Sequence, residues 1–420
     1  MPGQVLLIAS YDSQLKWVAA VGHEFRLRGF ECSVVSPQGR TAPSAAQLAA
    51  ARVDGLAVLD WDELVARVRS SDVVVAALAG SQLLRLTIDL AAADSREPGP
   101  VLVTGWVGLI YEQITTGYLN RVGFDVLAVN SVQDLAYFGG VAAELGFEQG
   151  NLLLSGLPFL GPRPLPQRWG PVRRVLYADQ PTVPGPAAER RHLYQRLIDY
   201  AYAHPEREVL LKPRHRPGED TFHRMKHHPA DLLAGIECPA NFRVDYTPIS
   251  EILPTVDLLV TMSSTACLEA VGAGCRVGVV LDFGVQERYG NHAFLGSGLL
   301  RTVDQLIADD IGSPDPEWLG GYFFDRPGKA TEQIADRVEK LLASGERPSH
   351  AIWESDYFTS AARYRGSLPV PGVPAVRQSL GAPARRSWSA GRLAREVLPP
   401  VLLRQIRRLP RHTRGVRGVT

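Results

Sequence analysis

Residues 5–35 read VLLIASYDSQLKWVAAVGHEFRLRGFECSVV, and this stretch decides the architecture. The run 5–9 is a short, uninterrupted apolar segment of the kind that forms a strand covered on both faces. Apolar residues then recur at helical spacing over 14–28, Gly29 supplies a stop, and 32–35 opens a second strand. This is a βαβ opening. The same alternation continues outward, with strands expected over 55–59, 73–77, 101–104, 126–129 and 152–154, and helices over 81–93 and 132–145.

Between residues 158 and 171 the alternation stops, because Pro158, Pro162, Pro164, Pro166 and Pro171 cannot continue a helix or a sheet. A second series follows. Strands are expected over 174–178, 208–212, 242–244, 256–261 and 276–281, and helices over 187–203, 266–272 and 331–342. The pattern predicts two α/β, Rossmann-like domains. The expected division is 1–160 for the first domain, 161–171 for a Pro-rich linker, 172–365 for the second domain, and 366–420 for a weakly ordered Arg/Pro-rich tail.

Composition narrows the function classes. The 420 residues are 45% hydrophobic and carry a formal net charge of +1, which argues against a general nucleic-acid binder. The charge is unevenly placed: residues 381–420 hold ten arginines, no lysine and one acidic residue, Glu396. Within that tail Leu402, Ile406 and Leu409 alternate with Arg404, Arg407, Arg408 and Arg411 at helical spacing. Two readings stand, a segment lying on an anionic membrane surface or a solvated tail.

Cys32, Cys238, Cys267 and Cys275 lack zinc-site spacing and read as reduced core thiols. No signal peptide or membrane-spanning run is evident, so a cytoplasmic protein, peripheral to the inner face of the membrane where the tail binds it, is expected. A phosphate loop of the Gly-x-x-x-x-Gly-Lys-Ser/Thr type, a Gly-x-Gly-x-x-Gly fingerprint and a Gly-x-Ser-x-Gly elbow are all missing, which disfavours ATPases, NAD enzymes and hydrolases of that kind.

Two segments carry chemistry. In the first, an apolar strand ends in Lys212-Pro213-Arg214-His215-Arg216, four basic side chains within five positions. Ligands of open α/β sheets bind just beyond the carboxyl ends of strands, so this loop suits a phosphate or carboxylate. In the second, the strand over 256–261 feeds Ser263-Ser264-Thr265 and then a helix. Its unpaired N–H groups and hydroxyls offer a phosphate seat, although Ser and Thr are also ordinary helix caps. Glu269, farther along that helix, is placed to accept bonds from a ribose diol.

The second half, through Ser263-Ser264-Thr265, Glu269-Ala270 and Gly274, resembles the donor domain of glycosyltransferases with the GT-B architecture, two Rossmann-like domains facing across a cleft. It is similar to bacterial sialyltransferases, polysialyltransferases and capsule-polymer transferases in His215, in Ser263-Ser264 and in Gln180-Pro181, although Arg216 separates His215 from Pro217. It also resembles an uncharacterised family of bacterial glycosyltransferases over residues 3–365. The resemblance implies transfer of a sugar from a nucleotide-activated, for instance CMP-activated, donor to a glycan or lipid-linked envelope acceptor. It further implies that His215 stabilises the leaving phosphate, with Gln180, Lys212, Arg214, Arg216, Ser263, Ser264, Thr265 and Glu269 binding the donor.

The catalytic base is expected in the first domain. Asp12 follows the first strand and points toward the cleft, or caps the helix after it; Glu112, in a glycine-interrupted loop, is the other candidate. Asp60-Trp61-Asp62 has the form of a metal-binding D-x-D but reads as a strand end and the acidic first turn of a helix. No essential metal or cofactor is expected. A CDP-polyol phosphotransferase and a catalytically inactive GT-B-like assembly protein are the alternative functions.

Overall fold

The computed structural model describes residues 3–39, 45–53, 55–92, 98–219 and 225–366. The tail expected over 366–420, with its amphipathic segment, lies outside these residues apart from Gly366.

Among the described residues, seven strands form the first sheet: β1 Gln4–Ala9, β2 Glu31–Pro37, β3 Ala57–Leu59, β4 Val73–Ala77, β5 Val101–Gly105, β6 Val126–Val129 and β7 Leu152–Leu154. Their order is β3-β2-β1-β4-β5-β6-β7, parallel throughout. Six of the described strands form the second sheet: β8 Arg174–Ala178, β9 Glu208–Lys212, β10 Phe242–Val244, β11 Leu258–Thr261, β12 Arg276–Val280 and β13 Leu300–Arg301. The order here is β10-β9-β8-β11-β12-β13, again parallel.

Each sheet separates two apolar cores, which follows from the two-residue repeat of strand side chains. Leu6 and Ile8 of β1 enter one core, while Val5, Leu7 and Ala9 enter the other. In β8 Leu176 and Ala178 face one side, and Val175 and Tyr177 the other. The chain winds both ways from β1 and from β8, so each sheet has a switch point, between β1 and β4 and between β8 and β11. Crevices open beyond the carboxyl ends of strands at such points. Ser10-Tyr11-Asp12 lies at the first, and Asp179-Gln180 together with Met262-Ser263-Ser264 at the second.

The end of the expected second domain is corrected by its packing. Ile334, Ala335, Val338 and Leu341 of helix Ala330–Ser344 are buried in the core of the first sheet, beside Leu15, Val18 and Phe25 of helix Asp12–Leu27. Arg28 joins the two helices through Asp336 at 2.6 Å and Glu339 at 2.9 Å. Ile352 and Phe358 fill the other core of that sheet. The chain thus returns from the second sheet to cover the first. The Pro-rich segment is held on the second sheet, where the Arg168 guanidinium donates to the carbonyls of Pro254, Val256 and Ala273.

Two smaller expectations also change. Helix Asp12–Leu27 begins two residues earlier than its periodicity indicates, so Asp12 occupies its first turn and Tyr11 holds the N-cap position. Cys267 and Cys275 are buried, but Cys32 and Cys238 are only partly so. Asp60 caps helix Trp61–Arg69 reciprocally with Glu63, the structural use read for this D-x-D. None of the described helices is long and apolar enough to cross a membrane.

Candidate functional site

The second sheet braces its switch point with buried charge. Asp179, just past β8, accepts from Arg190 at 2.9 Å and from the Tyr194 hydroxyl at 2.6 Å. Arg190 also donates to the carbonyl of Gln180. With its main chain held, Gln180 turns its side-chain oxygen to the Ser263 N–H at 2.9 Å, tying the end of β8 to the end of β11. The Ser263 hydroxyl donates to the carbonyl of Tyr289 at 2.5 Å. The Ser264 hydroxyl accepts from Ala266 N–H at 3.2 Å. Ser263 and Gln180 therefore shape this turn, and the Ser264 hydroxyl closes it onto the first residue of the helix, whose N-cap position is Thr265.

The basic loop after β9 separates into different roles. His215, expected to face the donor phosphate, is buried inside the loop. Its Nε2 accepts from Met225 N–H at 3.2 Å, which leaves Nδ1 as the donor to the Arg216 carbonyl at 3.1 Å. Both ring nitrogens are thus occupied by main chain, and the ring organises the loop. The Arg216 guanidinium lies 4.7 Å from the centre of the Tyr246 ring, a contact within the second domain. Lys212 and Arg214 are the side chains that carry the loop's charge to the first sheet.

Arg214 donates to Oδ1 of Asp12 at 2.7 Å, and Lys16, one turn along the helix from Asp12, sits 3.6 Å from Oδ2. Burial disfavours the Asp12 carboxylate, yet Arg214 and Lys16 outweigh it and hold its pKa below the ordinary aspartate range. Burial lowers the Lys212 pKa; Asp245 opposes this, whereas Lys16 and Arg214 add to it. Three cations converge where the strand ends of the two sheets meet.

Glu269 faces the same charges. Burial raises its pKa, with Lys16 and Arg214 pulling the other way. It also lines a hollow of about 280 Å³ with Phe159, Leu160, Ser250, Leu253 and Pro254.

A second contact crosses between the sheets through the loop after β5. The Thr265 hydroxyl accepts from Leu109 N–H at 3.2 Å. A Cβ on Gly108 would stand 2.5 Å from that hydroxyl oxygen, so only glycine lets the loop approach so closely. Tyr111 packs its ring edge-on to His292, with centroids 6.4 Å apart. Glu112, next along the loop, is exposed.

Of the residues singled out in the sequence, Asp12, Lys212, Arg214 and Glu269 share one electrostatic locus, and Thr265 lies at the adjoining contact. Sequence reasoning missed Lys16, Tyr111 and His292. Lys16 had a usable signal, being four residues after Asp12 on a helix; the others had none. Among the described residues no group of three or more His, Cys, Asp or Glu side chains is arranged to hold a metal ion.

The profile of the family described as "Putative glycosyltransferase (DUF6716)" matches residues 5–341. No curated protein matches the chain. In fold it is similar to a putative UDP-N-acetylglucosamine 2-epimerase from Listeria monocytogenes, with a TM-score of 0.55 and 14% identity over 83% of this chain and 98% of that one. It is similar also to UDP-GlcNAc 2-epimerase from Neisseria meningitidis bound to UDP-GlcNAc, with a TM-score of 0.51 and 10% identity over 81% of this chain and 100% of that one. Arabidopsis thaliana UGT89C1 complexed with UDP gives 0.51 and 12%, over 82% and 100% respectively. The architecture is GT-B.

Proposed function

The chain belongs to the family described as "Putative glycosyltransferase (DUF6716)", and on that premise we propose that it transfers a sugar from a pyrimidine-nucleotide donor to an acceptor hydroxyl. The observation that carries this reading is the meeting of Lys16, Lys212 and Arg214 with Asp12 and Glu269 at the facing strand ends of two parallel sheets. A donor of this class presents a phosphate, a ribose and a base, and the site offers a group for each. The three cations take the phosphate. Glu269 accepts from the ribose hydroxyls, and the hollow beside Phe159 and Leu253 receives the base. Two proteins of similar fold are named as complexes with UDP-GlcNAc or UDP, which is compatible with a uridine donor.

In this reading the donor phosphate draws Arg214 away from Asp12. Losing its cationic partner raises the basicity of Asp12, which then accepts the proton of the acceptor hydroxyl. The hydroxyl oxygen bonds to the anomeric carbon as the bond from that carbon to the phosphate oxygen breaks. The bonding pair leaves with the phosphate, whose charge Arg214, Lys212 and Lys16 stabilise. Three side-chain cations supply the charge compensation, so we propose that no metal is required.

Thermal unfolding with CMP, CDP, UMP, UDP and GDP, each with and without magnesium, tests the donor site. A nucleotide at about 100 times its Kd adds roughly 2.7 kcal/mol. Stabilisation by a uridine or cytidine nucleotide, independent of magnesium and lost in Arg214→Gln, is expected. Failure of all five to stabilise the wild type would overturn the reading. Product analysis then separates a glycosidic bond from the phosphodiester that a polyol phosphotransferase would make.

A further inference from the structure

Arg121 follows helix Ile114–Leu119 at the carboxyl edge of the first sheet. Its Nε donates to the Gly105 carbonyl at 3.2 Å and its Nη1 to the Gly117 carbonyl at 2.8 Å. The guanidinium carbon stands 4.6 Å from the centre of the Trp106 ring. That ring is itself stacked on Phe138, with centroids 4.8 Å apart, so the guanidinium rests on a rigid platform.

These bonds use two of the five N–H donors of the group, and both acceptors are neutral. Among the described residues no carboxylate pairs with Arg121. Burial pushes its pKa down to about 10, and the Tyr11 phenol is the single group that opposes this. The side chain stays protonated at neutral pH, when that phenol carries no charge. The two described arginines with the least exposed surface, Arg190 and Arg207, are answered by Asp179 at 2.9 Å and Asp309 at 2.7 Å. Arg326 and Arg168, like Arg121, donate to main-chain carbonyls, but in the connection between the sheets or on the second sheet. A cation removed from much of its water without a counter-ion is costly, and this one lies where ligands of parallel sheets bind. A second polar group at this edge is also unanswered. The Ser10 hydroxyl, beside Tyr11 at the end of β1, is buried and has no partner among the described residues.

We propose that Arg121 binds an anionic oxygen group, a carboxylate or a phosphate, carried by the acceptor sugar. The site would complete the missing counter-charge, with Trp106 holding the guanidinium plane for a two-pronged contact. That the anion belongs to an acceptor rests on the glycosyl-transfer reading; that an anion binds here does not.

The test is calorimetric titration of the full chain with D-glucuronate, D-glucose 6-phosphate and D-glucose, with and without saturating UDP. We expect at least one of the anionic sugars to bind about tenfold or more tightly than glucose. Which one does so identifies carboxylate or phosphate. Arg121→Gln should abolish the preference and Arg214→Gln should leave it. Equal binding of all three sugars to the wild type overturns the proposal without any variant. So does a preference that survives Arg121→Gln or vanishes in Arg214→Gln alone. Should Arg121→Gln not fold, Arg121→Lys, which keeps the charge but not the fork, must weaken the preference. UDP binding is read separately: its absence with the preference intact defeats the donor site and leaves the anion site standing.

Discussion

Nη2 of Arg214 lies 2.7 Å from Oδ1 of Asp12, a residue 202 positions earlier in the chain. The pair joins the turn after β1 of the first sheet to the loop beyond β9 of the second. It places a cation and a carboxylate where a donor phosphate and an acceptor hydroxyl would meet.

The two members should fail differently. Arg214→Gln is expected to weaken nucleotide binding by about tenfold or more, the size of a lost charge-assisted bond. Asp12→Asn should leave nucleotide binding intact, or tighten it by freeing Arg214, while turnover falls about 10²- to 10⁴-fold. Calorimetry and steady-state rates measured on the same preparations check both.

The same pair has a pH signature. The Asp12 pKa is held down in the folded chain, so its ion pair contributes fully above the ordinary aspartate value of about 3.9. That contribution disappears as pH falls through the lower folded value. The stability gap between wild type and Asp12→Asn, measured by urea unfolding, should be constant from neutral pH to about pH 5 and close in stronger acid.

Glu269 should behave in the opposite sense. Burial raises its pKa, against the pull of Lys16 and Arg214, so the folded chain holds this proton more tightly than the unfolded one. Stability therefore falls as pH rises from the ordinary glutamate value to the raised one. Glu269→Gln is expected to raise Tm at pH 7, to change it little near pH 4, and to weaken nucleotide binding. Lowered stability at pH 7 would assign Glu269 a structural role instead.

The contact between Gly108 and Thr265 predicts a compensating pair. Gly108→Ala would bring a methyl to 2.5 Å from the Thr265 hydroxyl oxygen and should cost about 1–3 kcal/mol. Adding Thr265→Ala removes the obstruction, so the double variant should be more stable than the sum of the two single losses. Additive losses in denaturant unfolding would show that the loop does not seat there.

Removing Arg190 should damage the fold rather than the chemistry. The side chains of Arg190 and Asp179 are 1% and 0% exposed. Arg190→Met would leave a buried carboxylate unpaired, at a cost of about 3–5 kcal/mol. The Gln180 carbonyl would lose its donor, and the turn at Ser263 its orientation. A loss of under 1 kcal/mol in urea unfolding would contradict this account.

Much of the architecture was legible in order of residues because strands and helices report their own periods. The segments of β4, β6, β7, β8, β9 and β10, and helices Ala187–Ala203 and Ala266–Gly272, coincide with the expected limits. The two-residue β13 and the six-residue helix Ala45–Ala50 are too short to carry a period, and neither was anticipated. The placement of helix Ala330–Ser344 on the first sheet was also illegible, since its apolar stripe states that it packs but not on which surface.

The sequence by itself determined that two parallel sheets form and that the Lys212–Arg216 and Ser263–Thr265 segments lie beyond strand ends. Both conclusions follow from local alternation and from the geometry of parallel connections. Tertiary structure alone decided how each side chain of those segments is used. His215 and Arg214 are neighbours of equal promise in sequence, yet one ring is enclosed by its own loop while the other side chain reaches Asp12. Ionisable groups acquire their roles from burial and from the charges brought beside them, and here Lys16, Asp12, Arg214 and Glu269 meet only because two separately wound sheets place their strand ends together.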